Sequence, residues 1–385
     1  MKILYAAMRH DYGRPEQGPS FEHQTFYDTL VRLGHEIVYF DFVALSREHG
    51  RAWVNRRLWD IATVEDPDLM FCTLFGDELD KQVVARISSE LRTITINWFC
   101  DDHWRFYDFS RIWTPAFNWV VTTAPASVAP YEQHGLHNVI RSQWACNHFT
   151  FHPVQDAEPL YDVAFVGMVH GERQPLVDAV RRAGIDVRAW GSGWPGGRLS
   201  VPEMVQVFNR ARINLNLSES WLTEDAVAAK STAESLKDER SAPQEFIDRA
   251  GLSARLRAQA RRVPGARSAA AATRAARQRM QRPPSLAPPR LGRYVKQLKA
   301  RTFEVPGCGG FLLTQDAPEL ERYFEIGTEL DVFHDTEQLI ERLRYYLGHD
   351  DERAEVAAAG HARVSRDHTY ERRFQEIFQR AGLAS

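Results

Sequence analysis

Short apolar strand patterns alternate with helical patterns along most of the chain, and this alternation limits the folds that the chain can adopt. The first unit is a βαβ pattern, in which strands at 1–7 and 36–42 flank a helical stretch at 20–33. Further strands are predicted at 69–73, 93–99, 119–123 and 139–142. Since a crossover helix joins two parallel strands, such alternation predicts a parallel sheet covered by helices on both faces.

A second series of the same kind begins after a polar, proline-containing stretch at 152–159. Its strands are predicted at 161–167, 186–190, 213–217, 310–314 and 330–333, and its helices at 174–183, 201–209, 295–304 and 336–347. A length of 385 residues suits two domains. The predicted fold class is therefore α/β, with two doubly wound domains in tandem, the first over 1–155 and the second over 156–362.

An unusually basic segment interrupts the second series. Residues 251–301 contain 12 Arg and 2 Lys but no Asp or Glu, although the net charge of the whole chain is only -3. This Ala/Arg/Pro-rich segment belongs to an insertion at about 222–292, and its proline pairs at 283–284 and 288–289 exclude one continuous helix. Two interpretations stay open: a solvated, partly disordered surface loop, or a docking surface for anionic membrane lipid or a charged polymer.

Other partners and locations follow from composition. Nucleic acid is disfavoured, because Tyr294 is the single aromatic residue in segment 251–301 that could stack on a base. The first residues enter a strand with no signal-peptide pattern, and no apolar run approaches the roughly 20 residues of a membrane span. The four cysteines show no metal-type spacing and predict neither disulfides nor zinc; they are Cys72, Cys100, Cys146 and Cys308. We therefore expect a cytoplasmic protein, peripheral at the inner membrane face if the basic segment docks there.

Ligands of open parallel sheets bind beyond the carboxyl ends of the strands, and four loops of this chain have that position. The first follows the strand at 1–7 and contains His10, Gly13 and Ser20, the last of which is suited to cap a helix. An ordinary turn is the competing interpretation of this loop.

The second loop, at 98–106, combines charged and aromatic side chains. It contains Asp101, Asp102, His103, Trp104 and Arg105. An acid among rings can have its pKa moved and act as a base, so these acids and the histidine are catalytic candidates. The competing interpretation is a salt-bridged loop in which Arg105 neutralises one of the two acids.

The third and fourth loops belong to the second series. In the third, Gly167 allows close approach of a ligand, and Arg173 begins a helix where it can face an anion. In the fourth, Glu304 is predicted to end the helix at 295–304 and to precede a turn with three glycines. Since the helix dipole disfavours an acid at that end, Glu304 calls for a cationic or hydroxyl-bearing partner.

These motifs resemble those of the CgeB-like, glycosyltransferase-family-1-type proteins. Residues 291–378 carry the resemblance most strongly, with Lys-Ala-Arg-Thr-Phe-Glu-Val-Pro-Gly-Cys-Gly-Gly-Phe-Leu-Leu-Thr over 299–314 and His-Thr-Tyr-Glu-Arg-Arg over 368–373. Similar stretches nearer the start are Ser-Phe-Glu-His-Gln-Thr-Phe-Tyr over 20–27, Gly-His over 34–35, and the loop at 98–106. The resemblance covers nearly all of the chain except about 221–292.

The resemblance implies a GT-B fold, in which two Rossmann-like domains face each other across a cleft. A nucleotide diphosphate sugar would bind the second domain as co-substrate, without a further cofactor or a metal, and a glycan or protein acceptor would bind the first. A helix within 363–385 would pack back on the first domain. Glu304 would hold the ribose hydroxyls, and Arg173 with Lys299 or Arg301 would neutralise the diphosphate.

The remaining site residues are expected in three groups. Glycines near the donor are Gly167, Gly191, Gly193, Gly307, Gly309 and Gly310; acceptor-side residues are His10, Gly13, Ser20, Trp104 and Arg105; catalytic candidates are Asp101, Asp102 and His103. One departure is Lys296, which stands where related family 4 enzymes commonly have a second Glu, so the donor sugar and the stereochemistry stay open. The expected activity is sugar transfer in cell-surface polysaccharide or glycoprotein synthesis. The alternatives are a nucleotide-sugar epimerase or hydrolase, or a non-catalytic nucleotide-sugar or glycan-binding module.

Overall fold

In a computed structural model, the chain divides into two compact units, residues 1–220 with 296–385 and residues 221–295. The structure describes residues 1–222 and 293–383. The predicted insertion at about 222–292, with most of the basic segment 251–301, lies outside the described residues. Both large sheets belong to the first unit.

The first sheet has six parallel strands in the order β2-β1-β3-β4-β5-β6. The strands are β1 (Lys2–Ala6), β2 (Glu36–Phe40), β3 (Leu69–Cys72), β4 (Ile94–Phe99), β5 (Trp119–Thr122) and β6 (Val139–Arg141). Side chains alternate between the faces, so that Ile3 and Tyr5 join one apolar cluster while Leu4 and Ala6 join another. Both faces are thus buried, as the continuous apolar strands predict.

The helices of this first domain cover both faces of its sheet. They are α1 (Asp28–Arg32), α2 (Phe42–His49), α3 (Arg51–Glu65), α4 (Lys81–Glu90), α5 (Asp102–Arg105), α6 (Arg111–Trp113) and α7 (Val128–Gln133). Aspartates begin two of them, because the carboxylates of Asp41 and Asp80 accept hydrogen bonds from the first free backbone N–H groups of α2 and α4. The predicted helix at 20–33 forms as a π-helical turn, His23–Tyr27, followed by α1.

The second domain has a five-stranded parallel sheet and a separate pair of strands. In chain order its strands are β7 (Tyr161–Val166), β8 (Val187–Trp190), β9 (Ala211–Asn216), β10 (Glu219–Leu222), β11 (Arg293–Lys296), β12 (Leu312–Gln315) and β13 (Asp331–Phe333). The parallel sheet has the order β13-β12-β9-β7-β8, and β10 pairs with β11. The helices of the second half are α8 (Arg173–Arg182), α9 (Val201–Arg210), α10 (Arg301–Gly307), α11 (Thr336–Gly348), α12 (Asp350–Asp367) and α13 (Tyr370–Arg380).

Both sheets reverse their strand order at the same place. In the first, β1 lies between β2 and β3; in the second, β7 lies between β8 and β9. The loops that leave β1 and β3, or β7 and β9, therefore turn to opposite faces and open a crevice at the carboxyl edge of the sheet. The topology thus gives each domain one expected ligand position.

The prediction of a continuous helix at 295–304 is wrong. Only Val295 and Lys296 of that range belong to strand β11, which suits the β-favouring pair Tyr294-Val295. Residues 297–300 are neither strand nor helix, and helix α10 begins only at Arg301. Glu304 consequently lies in the first turn of α10, where the helix dipole favours an acid, and not at a helix end.

Helix α13 packs on the first domain. Its buried side chains are Tyr370, Phe374, Ile377 and Phe378. They belong to the same apolar cluster as Phe26 and Trp98, and the rings of Phe26 and Tyr370 lie 5.3 Å apart. The linker between the domains also holds the start of α13, because the backbone N–H of Cys146 donates to the His368 carbonyl at 2.9 Å. The chain end therefore ties the two domains together.

Candidate functional site

Arg173 bridges the switch point of the second sheet. It is the first residue of α8, and its guanidinium donates to the carbonyls of Met168 at 3.0 Å, Leu217 at 3.2 Å and Glu219 at 3.3 Å. Burial lowers its pKa to about 10, against the opposing effect of Glu219. No carboxylate among residues 1–222 and 293–383 lies within ion-pair distance of Arg173. The loops after β7 and β9 thus meet around a positive charge that has no ion-pair partner within residues 1–222 and 293–383.

Lys299 adds a second cation to this place. Its ammonium group donates to the hydroxyl of Ser220, and burial lowers its pKa to about 7, with the charge of Arg173 adding to this effect and that of Asp101 opposing it. His170, in the loop after β7, has its pKa lowered to about 4 by burial and by the charges of Arg173 and Lys299. At neutral pH the site therefore combines the cationic Arg173 with a Lys299 ammonium group close to its own pKa, which a bound anion would keep protonated, and with the uncharged imidazole of His170.

The first domain meets this cluster through the segment that follows β4. His103 Nε2 lies 3.4 Å from the side-chain amide of Gln297, which also donates to Ser220 at 3.0 Å. Burial lowers the pKa of His103 to about 4, so its ring is neutral at pH 7. Asp101 is near enough to influence the pKa values of His103 and Lys299. Four predicted residues from both domains, Asp101, His103, Arg173 and Lys299, therefore come together.

Asp102, the third catalytic candidate, has a structural position. Its side chain is buried, with one carboxylate oxygen accepting from Ser110 and the other from Tyr131 at 2.8 Å. Its carbonyl accepts from Ser127 at 3.0 Å. These contacts anchor the short helix α5 in the first domain, and burial raises the pKa of the Asp102 carboxyl against the opposing effect of its hydrogen bonds.

A pocket of about 130 Å³ opens at the switch point of the first sheet. Its wall combines residues that follow β1, β3 and β4, namely Met8, Asp11, Tyr12, Thr73, Leu74, Phe75, Phe99, Cys100 and Asp101, with Phe21, Glu22, Arg105, Phe109 and Ser110. Sequence reasoning missed Glu22, whose pKa is raised by burial. The available signal was its place two residues after the cap Ser20, at the mouth of this crevice. The pocket thus holds three acids, Asp11, Glu22 and Asp101, among aromatic rings.

The five acceptor-side candidates divide between pocket and scaffold. Arg105 lines the pocket, with its guanidinium 3.9 Å from the Phe109 ring, and the half-buried Trp104 ring lies 5.5 Å from the same guanidinium. The others shape the loop after β1: His10 pairs with Pro19, Ser20 bonds to the Met8 carbonyl at 2.8 Å, and Gly13 adopts a φ of 63°.

Glu304 is buried and covered by Arg301. Its residue exposure is 1%, and its carboxylate forms an ion pair with Arg301, whose side chain also contacts the Met204 sulfur at 3.0 Å. The predicted need for a cationic partner is thus met inside the protein. A ligand can reach this carboxylate only after the Arg301 side chain moves.

The glycines after Glu304 make room for protein atoms. A Cβ on Gly307 would lie 2.3 Å from the Cys146 sulfur, and one on Gly310 would lie 2.7 Å from the Asn214 side chain. Gly309 has a φ of 74° and faces Pro153. The missing side chains of these three residues let α10 pack against the interdomain linker and β9. Their expected position close to a donor stays a prediction.

The glycines after β7 and β8 pack on each other. A Cβ on Gly191 would lie 2.3 Å from the Gly167 carbonyl oxygen, and one on Gly193 would lie 2.9 Å from Val169. The Gly167 carbonyl also accepts from the Trp194 indole at 2.8 Å. These contacts hold the loop that carries His170 and leads to Arg173, so they act on the site through its scaffold.

Other features of the described part are brief to state. Across residues 1–222 and 293–383, no three His, Cys, Asp or Glu side chains are grouped to hold a metal ion. None of the helices in that part is long and apolar enough to cross a membrane.

Comparison with known proteins supports the predicted fold. The family described as "Glycosyl transferase-like" matches residues 173–237 and 258–379. No curated protein sequence matches the chain. Among solved structures, HepE from Anabaena in complex with UDP-glucose is similar, with a TM-score of 0.57, 11% identity and coverage of 99% of each chain.

Two further structures extend the same likeness. Sucrose-phosphate synthase from Thermosynechococcus elongatus has a TM-score of 0.55 at 10% identity, covering 98% of this chain and 97% of its own. A glycosyltransferase from Rickettsia africae has the same TM-score and identity, covering 100% of this chain and 99% of its own. At such identities the likeness concerns the fold, and the predicted GT-B fold with two Rossmann-like domains is confirmed.

Replacing Lys299 with Met tests the uncompensated charge. The pKa of Lys299 is lowered from 10.5 to about 7 in the folded protein, so the unfolded chain binds more protons between these pH values. Lys299 therefore destabilises the fold fully below about pH 7, and this cost fades as the pH rises towards 10.5. We expect Lys299→Met to raise the melting temperature by about 3 °C or more near pH 6 and by less near pH 9.5.

The exposed Lys81 provides the control, since Lys81→Met removes a charge that folding leaves in water. Thermal unfolding followed by circular dichroism at the two pH values gives the comparison. A Lys299→Met effect of equal size at both would show that the charge is not desolvated.

Proposed function

The chain has the GT-B fold of glycosyltransferases and a glycosyl transferase-like second domain, and we propose that it transfers a sugar from a nucleotide diphosphate to a hydroxyl of a glycan or protein acceptor. The observation that carries this proposal is the pair of cations, Arg173 and Lys299, at the switch point of the second sheet. The pair faces Asp101 and His103 of the first domain. Within the glycosyltransferases we place the chain in the CgeB-like group, on the motif at 299–314.

The donor diphosphate would bind over Arg173 and Lys299. A doubly charged diphosphate balances two cations, and burial strengthens the attraction by excluding water. The same cations would stabilise the negative charge that grows on the leaving nucleotide, which is the usual largest contribution to such catalysis. HepE, which has this fold, was solved with UDP-glucose, so UDP is the first nucleotide to test.

Glu304 would accept the two ribose hydroxyls. In the structure its carboxylate is occupied by Arg301, so binding requires an exchange in which the ribose replaces the guanidinium. The released Arg301 would then be free to approach the phosphates. A carboxylate suits this role because it can accept both hydrogen bonds of a diol at once.

The acceptor would bind in the pocket of the first domain. Asp101 connects the two halves of the site, since it lines that pocket and influences the pKa of Lys299. We propose that the Asp101 carboxylate takes up the proton of the acceptor hydroxyl. In this reaction the acceptor oxygen forms a bond to C1 of the sugar, and the bond from C1 to the diphosphate breaks. The neutral rings of His103 and His170 lie beside this path and would contact the transferred sugar.

Product analysis tests the reaction. The protein is incubated with UDP-, GDP- and dTDP-sugars, with and without a mixed glycan acceptor and with and without EDTA. Acceptor-dependent release of nucleotide with a glycosylated product, unchanged by EDTA, supports the proposal. Equal release without acceptor indicates a hydrolase, an altered donor sugar indicates an epimerase, and binding without turnover indicates a binding module.

The variant Glu304→Gln tests the ribose contact. Loss of charge-assisted hydrogen bonds to the diol should weaken UDP binding by roughly ten- to a hundredfold. Isothermal titration calorimetry measures the affinity, and Glu325→Gln, which changes an exposed carboxylate of the same domain, serves as the control. Unchanged affinity in Glu304→Gln would remove Glu304 from the nucleotide site.

The variant Asp101→Asn tests the proposed base. Transfer should slow by roughly 10²–10⁴-fold, because an amide cannot take up the acceptor proton. UDP affinity should change little, and Asp108→Asn, at an exposed acid of the same segment, should have no effect on either. Full transfer activity in Asp101→Asn would shift the role of base to Glu22.

The basic segment 251–301 is proposed to hold the enzyme at an anionic membrane. The ten arginines of residues 251–290, among which there is no Asp or Glu, support this proposal. Deleting residues 251–290 should abolish most sedimentation with phosphatidylserine vesicles at low salt while UDP affinity is kept. Equal sedimentation of the deletion variant and the full chain would discard the docking role.

A further inference from the structure

A groove between α3 and α4 of the first domain is not used by the proposed reaction. It has a volume of about 710 Å³. Four arginines and two tryptophans dominate its lining, namely Arg51, Arg56, Arg57, Arg86, Trp53 and Trp59. This combination of cations and large rings in one concave place calls for a ligand that is both anionic and partly apolar.

Arg56 and Arg57 are available to such a ligand. Both are exposed, and neither has a side-chain partner anywhere in the described residues. Arg56 and Arg57 lie on the same face of α3 as Trp53, because residues three and four positions apart on a helix are neighbours. Unlike most surface arginines in the part of the chain that the structure describes, they therefore bring two unpaired guanidinium groups to one groove.

Each tryptophan ring contacts one neighbouring side chain, and the neighbour of Trp59 is Arg86, which lines the groove itself and forms an ion pair with Glu90. The Arg86 guanidinium lies 4.0 Å from the Trp59 ring centroid, and the His49 ring lies 4.1 Å from that of Trp53. Both indoles are half-buried, so part of each surface stays open to the groove. The C–H faces of a sugar ring pack on such aromatic surfaces, because the negative ring face attracts them.

The groove begins beside the acceptor pocket. The loop after β3 has Thr73, Leu74 and Phe75 in the pocket wall and ends at Asp80 in the groove. Arg51 donates to the Leu79 carbonyl in this loop at 2.7 Å, which fixes the start of α3 there. Since Phe75 and Asp80 are five positions apart, at most about 18 Å of chain separates the two sites.

We infer that the groove binds an acidic stretch of the acceptor glycan, several sugars away from the hydroxyl that reacts. This inference rests on the proposed function and specifies its acceptor as a carboxylated or phosphorylated saccharide chain. Arg56 and Arg57 pair with the acidic groups, since Arg86 already has Glu90 as its partner, and the indoles pack on the rings. Asp60, which also lines the groove and is exposed, can accept a sugar hydroxyl. It also opposes a ligand as densely charged as a nucleic acid, which carries one phosphate per nucleotide.

Calorimetric titration of the full chain with hexagalacturonate, and with neutral maltohexaose, tests this inference in the absence of donor. The wild type should bind the acidic hexasaccharide, and the neutral one about tenfold more weakly or not at all. Arg56→Gln/Arg57→Gln should weaken binding of hexagalacturonate by about tenfold or more. The control Arg182→Gln/Arg380→Gln removes two exposed arginines that lie outside the groove, and it should leave the affinity for hexagalacturonate unchanged.

Several outcomes would overturn the inference. One is equal binding of both hexasaccharides by the wild type, and another is equal affinity of the groove variant and the wild type for hexagalacturonate. A third is that the groove variant loses binding only to phosphatidylserine vesicles or to a single-stranded oligonucleotide. The single variant Arg57→Gln repeats the test with the smallest change, and thermal unfolding confirms that each variant is folded. UDP affinity is measured in parallel: if UDP binds while hexagalacturonate does not, this inference fails alone, whereas absent UDP binding counts against the proposed function.

Discussion

The positive charge at the carboxyl edge of the second sheet governs the rest of the site. The Arg173 guanidinium donates hydrogen bonds to three carbonyls, and the Lys299 ammonium donates to a neutral hydroxyl. Neither side chain therefore has an acid as its partner among the described residues. Desolvating two like charges side by side costs free energy, which the lowered pKa of Lys299 reflects. A protein keeps such an arrangement where a ligand supplies the missing anion.

The fold determines where this charge can act. Each sheet changes strand order between its first and third strands, and the two resulting crevices come together at the contact of His103 with Gln297. The linker around Cys146 and the final helix α13 hold the domains in that relation. Asp101 lies at the junction, in the pocket of one domain and within the electrostatic reach of the other. A donor and an acceptor bound in the two crevices would thus meet at Asp101.

The sequence was sufficient for the fold because the fold depends on periodicity. Apolar strands with helical patterns between them predict two parallel sheets, and the observed strands begin and end within two residues of most predicted ones. The prediction of a helix at 295–304 failed, because Lys, Arg and Gln suit a helix as well as a loop, whereas Tyr294 and Val295 favour the strand that is observed. The pairing of this strand with β10, which no local pattern encodes, adds to that preference.

The site was predicted only in part, for a similar reason. Arg173, Lys299, Asp101 and His103 were identifiable because charged residues after buried strands have few other uses. The roles of Asp102 and the glycines of 307–310 depend on partners far away in the chain, such as Tyr131, Cys146 and Asn214. Glu22 was missed because its place in the pocket depends on residues far away in the chain, such as Thr73 and Asp101, that line the same wall.

A crystal structure of the protein with bound UDP tests the central claim most directly. The account predicts phosphate oxygens within hydrogen-bond distance of both Arg173 and Lys299, with the Arg301 side chain displaced and the ribose hydroxyls on Glu304. A nucleotide bound elsewhere, or phosphates that contact neither cation, would contradict it.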